Sequence, residues 1–247
     1  MRVSKEKVRI DYGETNRFFE ERAKKYREDN PYSVTMYQDQ HPELVRMRNE
    51  KEIETLLPKL GLHAGSVVLD IACGIGRWAD AITQEIDRYI GVDFSEELIE
   101  IARSRNGKEN FSFYRGAAGE ICDILAAHHI SGVDKILMMG ILIYLNDGEV
   151  EDLFRQVGRA AGRNATVCLR EPVALEERLT LKEFYSAELK DSYSAIYRTR
   201  KELKEFMEDS LFEEGFRIRQ EGFLFEEDSL NNRKETAQYY YLLERSL

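Results

Sequence analysis

Two acids and two glycines stand at spacings that suit a small charged ligand. The stretch LDIACGIGRW, residues 69–78, places Asp70 at the end of an apolar run, with Gly74 and Gly76 close behind it. Asp93 follows 19 residues after Gly74. Glycine lets a backbone approach a ligand closely because it has no Cβ atom, and a helix that follows offers free N–H groups in its first turn. The pattern indicates a ligand-binding turn between a strand and a helix.

Two classes of cofactor use such a turn, and Asp70 distinguishes them. Residues 74–79, GIGRWA, satisfy the GxGxxA dinucleotide pattern, and Asp93 stands where a ribose-binding acid belongs. A dinucleotide site, however, runs its strand straight into the first glycine. A carboxylate at Asp70 repels a pyrophosphate and attracts an ammonium group. S-adenosylmethionine (SAM) carries an ammonium, a sulfonium, a ribose diol and an adenine, so it fits better than NAD; a NAD-dependent oxidoreductase is the alternative from another class.

At these residues the sequence resembles the class I SAM-dependent methyltransferases. The resemblance covers about residues 50–245 and rests on four stretches: VVLDIACGIGR (67–77), GVDFS (91–95), FYRGAA (113–118) and VDKILMMG (133–140). It implies a Rossmann-like methyltransferase fold with SAM as cofactor and S-adenosylhomocysteine (SAH) as product. We expect no metal, because no histidine or cysteine group has ligand spacing.

The resemblance also implies roles for individual residues. Asp70 and the loop backbone would surround the methionine part, Asp93 would accept both ribose hydroxyls, and Phe94 would cover the adenine. The full set of expected cofactor-binding residues is Asp70, Ala72, Cys73, Gly74, Gly76, Asp93, Phe94, Ala117, Ala118 and Met139. Ala72 stands where the family often has glycine, a change that we expect to cost little. Ala117 stands where an acid often binds the adenine, with Glu120 as a possible substitute.

Alternating strands and helices must position this loop. Short apolar runs predict strands near 66–71, 88–93, 111–115, 133–139 and 164–170, with helices near 76–86, 95–104, 120–127 and 147–160 between them. This order predicts an α/β fold with a doubly wound, mostly parallel sheet of seven strands. The last two strands, from about 215 and 237, are expected to pair antiparallel at the sheet edge.

Two segments outside this alternation are predicted to cap the sheet. Residues 1–60, with helices at 14–29 and 42–60, form an N-terminal helical lid packed on the core. Residues 61–247 form the SAM-binding domain, and its excursion at about 171–199 is expected to cap the substrate.

Composition restricts the partners. A formal net charge of -10 argues against a nucleic-acid partner, and RNA or protein methylation is therefore a less favoured reading. The longest apolar run, residues 136–145, is too short to span a membrane. The N-terminus has no apolar core of the signal-peptide kind, and the three cysteines lack CxxC spacing; both features favour a cytoplasmic protein with reduced thiols. The oligomeric state is left open.

The acceptor is expected to be a small molecule. Aromatic residues crowd the two capping segments and predict a chamber for a hydroxyl of a sugar or a secondary metabolite; an amine is the nearest alternative, and a non-catalytic SAM-binding protein is a further one. The candidate catalytic residues are Glu171, His41 and Tyr144. The candidate substrate-binding residues are Tyr12, Tyr37, Arg170, Tyr193, Tyr197 and Arg198, with Arg198 expected to hold a phosphate or carboxylate.

Overall fold

A computed structural model describes residues 1–37 and 40–246 of the chain. The elements of its first half are β1 (Arg2–Ser4), α1 (Tyr12–Lys24), α2 (Ser33–Met36), α3 (Pro42–Leu56), β2 (Val67–Ile71), α4 (Arg77–Ala81), β3 (Arg88–Asp93), α5 (Glu96–Arg105), β4 (Phe111–Arg115) and α6 (Ile121–Ala127). Those of its second half are β5 (Val133–Met139), α7 (Asp147–Ala160), β6 (Ala161–Ala174), β7 (Leu179–Ser186), β8 (Asp191–Tyr197), α8 (Arg200–Glu208), β9 (Arg217–Phe223) and β10 (Thr236–Ser246).

The main sheet has seven strands in the order β4-β3-β2-β5-β6-β10-β9. The first five in this order run parallel, whereas β10 pairs antiparallel with both β6 and β9. The predicted mostly parallel sheet with an antiparallel edge pair is therefore confirmed. The strand order reverses direction between β2 and β5, where ligands bind in open α/β sheets.

Side chains of β2 alternate between two apolar cores, as a doubly wound sheet requires. Leu69 and Ile71 pack in one core with residues of α6, α7 and α8. Val68 packs on the opposite face with Trp78 of α4 and Ala102 of α5. All five residues of β2 are buried, which explains why this stretch has an almost continuous apolar sequence.

A second, smaller sheet caps the carboxyl edge of the main sheet. The predicted excursion at 171–199 first extends β6 to Ala174 and then forms the hairpin β7–β8, which the N-terminal strand β1 joins in the order β1-β7-β8. Phe18 and Val34 of the N-terminal helices share an apolar cluster with Leu181 of this sheet and with Ile75 of the glycine loop. The N-terminal segment and the excursion thus pack together above the loop, although the proposed domain division stays a prediction.

Three helices end earlier than their sequence predicts. The first begins at Tyr12 because the Asp11 carboxylate accepts the N–H of Glu14 at 3.1 Å, and it ends at Lys24 rather than near residue 29. The helix expected at 42–60 ends at Leu56 and continues as a short 3₁₀ helix, Leu57–Leu60. The helix expected at 76–86 has only five residues, since Ile82 adopts an extended conformation and buries its side chain. No helix among the described residues has both the length and the apolarity needed to cross a membrane.

Candidate functional site

The glycine loop leaves β2 in left-handed backbone conformations. Ala72, Gly74 and Gly76 all have positive φ, at 60°, 54° and 77°. A Cβ atom on Gly74 would lie 2.7 Å from the Cγ2 atom of Thr35 in α2, so only glycine allows this approach. Ala72 adopts the same region with a side chain, at a typical cost of about 1–2 kcal/mol. This conformation argues against the expectation that alanine costs little at this position.

Asp93 fixes the loop to the end of β3. Its buried carboxylate accepts the N–H of Gly74 at 2.9 Å through one oxygen and the N–H of Ser95 at 3.0 Å through the other. Burial raises the pKa of Asp93 to about 6, and the two backbone hydrogen bonds limit that increase. Each oxygen keeps a lone pair, so the group can accept two further hydrogen bonds of the kind a ribose diol donates.

Asp70 lies beside the same loop at the end of β2. It is buried and accepts a hydrogen bond from the hydroxyl of Tyr89. Burial raises the pKa of Asp70 to about 7, against the opposing influence of the Tyr89 hydrogen bond and the Arg77 charge. Burial makes the charged form of this carboxyl group costly, so an incoming cation that pairs with it would be strongly favoured.

A cavity of about 460 Å³ opens over the carboxyl ends of the strands, and we call it the large cavity. Of the expected cofactor-binding residues it is lined by Ala72, Gly74, Asp93, Phe94, Ala117, Ala118 and Met139. Phe19 of α1, one of the aromatic residues expected in the capping segments, also lines it, as do Asn16 of α1, Thr35 of α2 and Glu149 of α7, which the sequence did not suggest. Its mostly apolar walls, with one carboxylate held by backbone N–H groups, suit an adenosine.

A second cavity of about 110 Å³, the small cavity, adjoins the first. The two share the lining residues Thr35, Ala72, Met139, Gly140 and Tyr144. The small cavity is bounded on the loop side by Asp70, Ala72 and Cys73, and on the far side by Tyr37, Tyr197 and Arg170. Burial raises the pKa of the Cys73 thiol well above its usual value, which agrees with packing behind the loop rather than nucleophilic attack.

Charged residues of α3 enter the small cavity, and the sequence reasoning missed them. Glu52 is buried, and its carboxylate pairs with Arg77 at 2.6 Å and with Arg170 at 2.9 Å. Burial alone would raise the pKa of Glu52, but these two guanidinium groups hold it below its usual value. Arg48 lines the same cavity and is 4% exposed. The signal was in the sequence, since Arg48 and Glu52 share the helix stripe of the buried Val45 and Leu56.

Two tyrosines join the capping segment to the core at the boundary of the cavities. The hydroxyls of Tyr37 and Tyr144 are hydrogen-bonded to each other. Tyr37 is also held at a positive φ of 65°. Tyr12 lines the large cavity, and its hydroxyl accepts the N–H of Asn146 at 3.2 Å.

Other expected site residues lie outside both cavities. Glu171 is buried under the turn after β5, where it accepts the N–H of Leu142 at 2.9 Å. Arg198 donates to Asp147 and to the carbonyl oxygens of Leu142 and Leu145. Both residues therefore contact the backbone that leads to Tyr144.

Gly76, Tyr193 and His41 complete the set of expected residues, and Gly76 lines neither cavity. Arg233 donates to the hydroxyl of Tyr193, which packs beside Phe18 and Tyr37 without lining either cavity. His41 is exposed at the start of α3 and has no side-chain capping bond. In the described part of the chain, no cluster of three or more His, Cys, Asp or Glu side chains has the arrangement of a metal site.

Comparison with known proteins agrees with this geometry. Residues 68–163 match the family described as "Methyltransferase domain". The phosphoethanolamine N-methyltransferase 1 of wheat, Triticum aestivum, is 25% identical over 154 residues, which are 60% of this chain and 30% of that protein. The chain therefore matches less than a third of the length of that curated relative.

Solved structures show the same fold at low identity. Phosphoethanolamine N-methyltransferase 1 of Haemonchus contortus, in complex with phosphoethanolamine and SAH, superposes with a TM-score of 0.67 at 17% identity, covering 93% of this chain and 48% of that one. A SAM-dependent methyltransferase of Leishmania major superposes with a TM-score of 0.58 at 15% identity, covering 91% and 82%. Residues 68–163 therefore match a methyltransferase domain, and the chain has the Rossmann-like fold of the class I SAM-dependent methyltransferases.

Proposed function

We propose that the chain transfers the methyl group of SAM to a small-molecule acceptor held in the small cavity. The observation that carries this proposal is the placement of Asp93 and Asp70 at the ends of adjacent strands, on two adjoining cavities. An adenosine in the large cavity would meet Asp93, and the amino-acid end of the same molecule would reach Asp70. SAM supplies a methyl group on a sulfonium, which an acceptor atom attacks in line.

The residues present fit this cofactor by their chemistry. The Asp93 carboxylate suits a diol, and the Asp70 carboxyl suits an ammonium group. Met139 and Gly140 border both cavities, so the boundary between them is the natural place for the reacting carbon. The part of the chain that acts on the acceptor would then be the wall formed by Tyr37, Tyr144 and Tyr197.

The size of the small cavity supports a small molecule over RNA or protein. Its volume of about 110 Å³ suits a small molecule, and the capping sheet with α1 and α2 packs above the loop. A formal net charge of -10 gives no basis for binding a phosphate backbone.

Of the two kinds of acceptor atom expected from the sequence, the geometry favours an amine over a hydroxyl. A hydroxyl needs a base in reach, but the candidate bases Glu171 and His41 line neither cavity, and Asp70 already pairs with the cofactor's ammonium group in this proposal. Burial raises the pKa of Tyr37, so its hydroxyl keeps its proton and no phenolate is present to act as a base. The small cavity is lined by three arginines, Arg48, Arg77 and Arg170, and by two carboxylates, Glu52 and Asp70. This excess of positive charge would lower the pKa of a bound amine and so favour its neutral, nucleophilic form. The similarity to phosphoethanolamine N-methyltransferases supports the same choice.

We assign Glu171 and Arg198 positioning roles within this proposal. Their hydrogen bonds to the turn at 142–145 hold the backbone that presents Tyr144 to the cavity boundary. Tyr144 and Tyr37 would contact the acceptor and exclude water from it.

A screen for SAH formation tests the proposal. The protein is incubated with SAM and with matched panels of small amines and small alcohols, and SAH is quantified. We expect turnover with an amine, a large loss in Tyr144→Phe, and no change in Tyr185→Phe, whose ring is 61% exposed. Turnover confined to alcohols would reverse the choice of acceptor atom, and turnover confined to RNA or protein would refute a small-molecule acceptor.

A further inference from the structure

Arg48 carries a buried guanidinium group, two of whose nitrogen atoms lack an acceptor among the described residues. It lies in α3 and is 4% exposed, yet its Nε and Nη1 atoms have no hydrogen-bond partner among the residues that the structure describes. The buried Arg77, Arg170, Arg178 and Arg198 each donate to a carboxylate instead.

An isolated buried charge is costly, and proteins almost always pair it. Burial lowers the pKa of Arg48 to about 10, and the charge of Glu188 offsets only part of that decrease. The Nε and Nη1 groups lie on different edges of the planar guanidinium, and each can donate a charge-assisted hydrogen bond to an oxygen of a carboxylate or phosphate.

The neighbouring carboxylates are already engaged. Glu52 lies one turn further along α3, but one of its oxygens accepts from Arg77 and Trp78, and the other pairs with Arg170. Asp70, which also lines the small cavity, accepts from Tyr89. Among the residues that the structure describes, the Nε and Nη1 groups of Arg48 therefore stay without an acceptor in the small cavity.

We propose that Arg48 forms an oxyanion-binding site in the small cavity, for a carboxylate or phosphate group of a bound ligand. Two sources share this chemistry. One is the α-carboxylate of the cofactor, whose ammonium would pair with Asp70 in the same cavity, and the other is an anionic group of the acceptor. This assignment depends on the proposed function only for the identity of the two ligands, the cofactor and the acceptor.

The test compares Arg48→Gln with Arg46→Gln, a matched control two residues away whose side chain is 65% exposed. Each protein is titrated calorimetrically with SAH and with methylthioadenosine, which keeps the adenosine but lacks the amino-acid end. Inorganic phosphate is then titrated into the free and the SAH-saturated proteins, with the fluorescence of Trp78, the sole tryptophan and a residue of the cavity wall, as a second readout.

If the cofactor carboxylate is the anion, Arg48→Gln weakens SAH binding about tenfold or more and leaves methylthioadenosine unchanged. If the acceptor supplies the anion, SAH binding is unchanged and the phosphate response is lost. Arg48→Lys should retain part of either effect, and Arg48→Gln should melt no lower than the parent because it removes an unpaired charge.

Equal binding of SAH, methylthioadenosine and phosphate by Arg48→Gln and the parent would overturn the site. A parent protein that binds neither SAH nor methylthioadenosine would instead contradict the proposed function, and the phosphate titration of the free protein would still decide the role of Arg48.

Discussion

The carboxylate of Asp93 accepts the backbone N–H of Gly74 at 2.9 Å, which fixes the glycine loop to the end of the neighbouring strand. A second backbone bond, from Cys73 N–H to the Val92 carbonyl at 3.0 Å, joins the same two segments. The acid expected to bind the ribose is therefore oriented by the fold before any ligand arrives. Preorganisation of this kind reduces the entropy cost of binding.

Replacing Asp93 should abolish cofactor binding and also weaken the fold. In Asp93→Ala the N–H groups of Gly74 and Ser95 lose their acceptor, which costs about 1–3 kcal/mol in the free energy of unfolding. Calorimetry with SAH and urea unfolding measure the two effects. The exposed Glu100→Ala is the control, and SAH binding that survives in Asp93→Ala would refute the role of this acid.

The affinity for SAH should depend on pH through Asp70. The pKa of this carboxyl is raised to about 7 by burial, so acidification from pH 8 to pH 6 protonates it and removes the partner of the ammonium group. We expect SAH affinity to fall across this range, by up to about tenfold per pH unit. Asp93, with a pKa of about 6, should add a second decline at lower pH.

Asp70→Asn supplies the control for this pH profile. It should bind SAH more weakly at pH 8 and show no change between pH 8 and pH 7, where Asp93 stays ionised. A profile identical to that of the parent protein would show that the titrating group is not Asp70.

Ala72→Gly should stabilise the protein. The φ of 60° at residue 72 is strained for alanine and unstrained for glycine. Glycine also increases the entropy of the unfolded chain, which offsets part of this gain in stability. The balance is a rise of about 0.5–1 kcal/mol in the free energy of unfolding. Ala126→Gly, at an exposed site in α6, should change stability in the opposite direction. Equal losses in both variants would show that Ala72 is not strained.

Glu171→Gln should change how stability depends on pH. Burial raises the pKa of Glu171 in the folded protein to about 7, from an ordinary value near 4.5. The contribution of Glu171 to the free energy of unfolding is fully present below its ordinary pKa. It is lost as the pH rises towards the pKa of the folded protein, at up to about 1.4 kcal/mol per pH unit. The glutamine variant keeps an acceptor for Leu142 and does not titrate, so its stability should gain on the parent between pH 5 and pH 7. Parallel stability profiles would contradict this account.

The chemistry of the glycine loop could be predicted because it is local. The acid, the glycines and the second acid occupy strand ends whose positions follow from apolar runs, and a parallel sheet brings neighbouring strand ends together. The antiparallel edge pair was predictable for the same reason, since no helix fits between β9 and β10.

The capping elements could not be predicted in the same way because long-range pairing forms them. The three residues of β1 become a strand only by pairing with β7, some 175 positions later in the sequence. Arg198 looks like a ligand-binding cation in the sequence, but its position under the 142–145 turn depends on the register of β8. Arg48 and Glu52 were overlooked because charged residues in a helix usually face solvent.

A calorimetric titration of the unmodified protein with SAH, run beside one with NADH, decides which cofactor the glycine loop binds. The SAM-binding account predicts saturable, micromolar binding of SAH and none of NADH. Binding of NADH without SAH would contradict it, because Asp70 would then not repel a pyrophosphate and the loop would be a dinucleotide site.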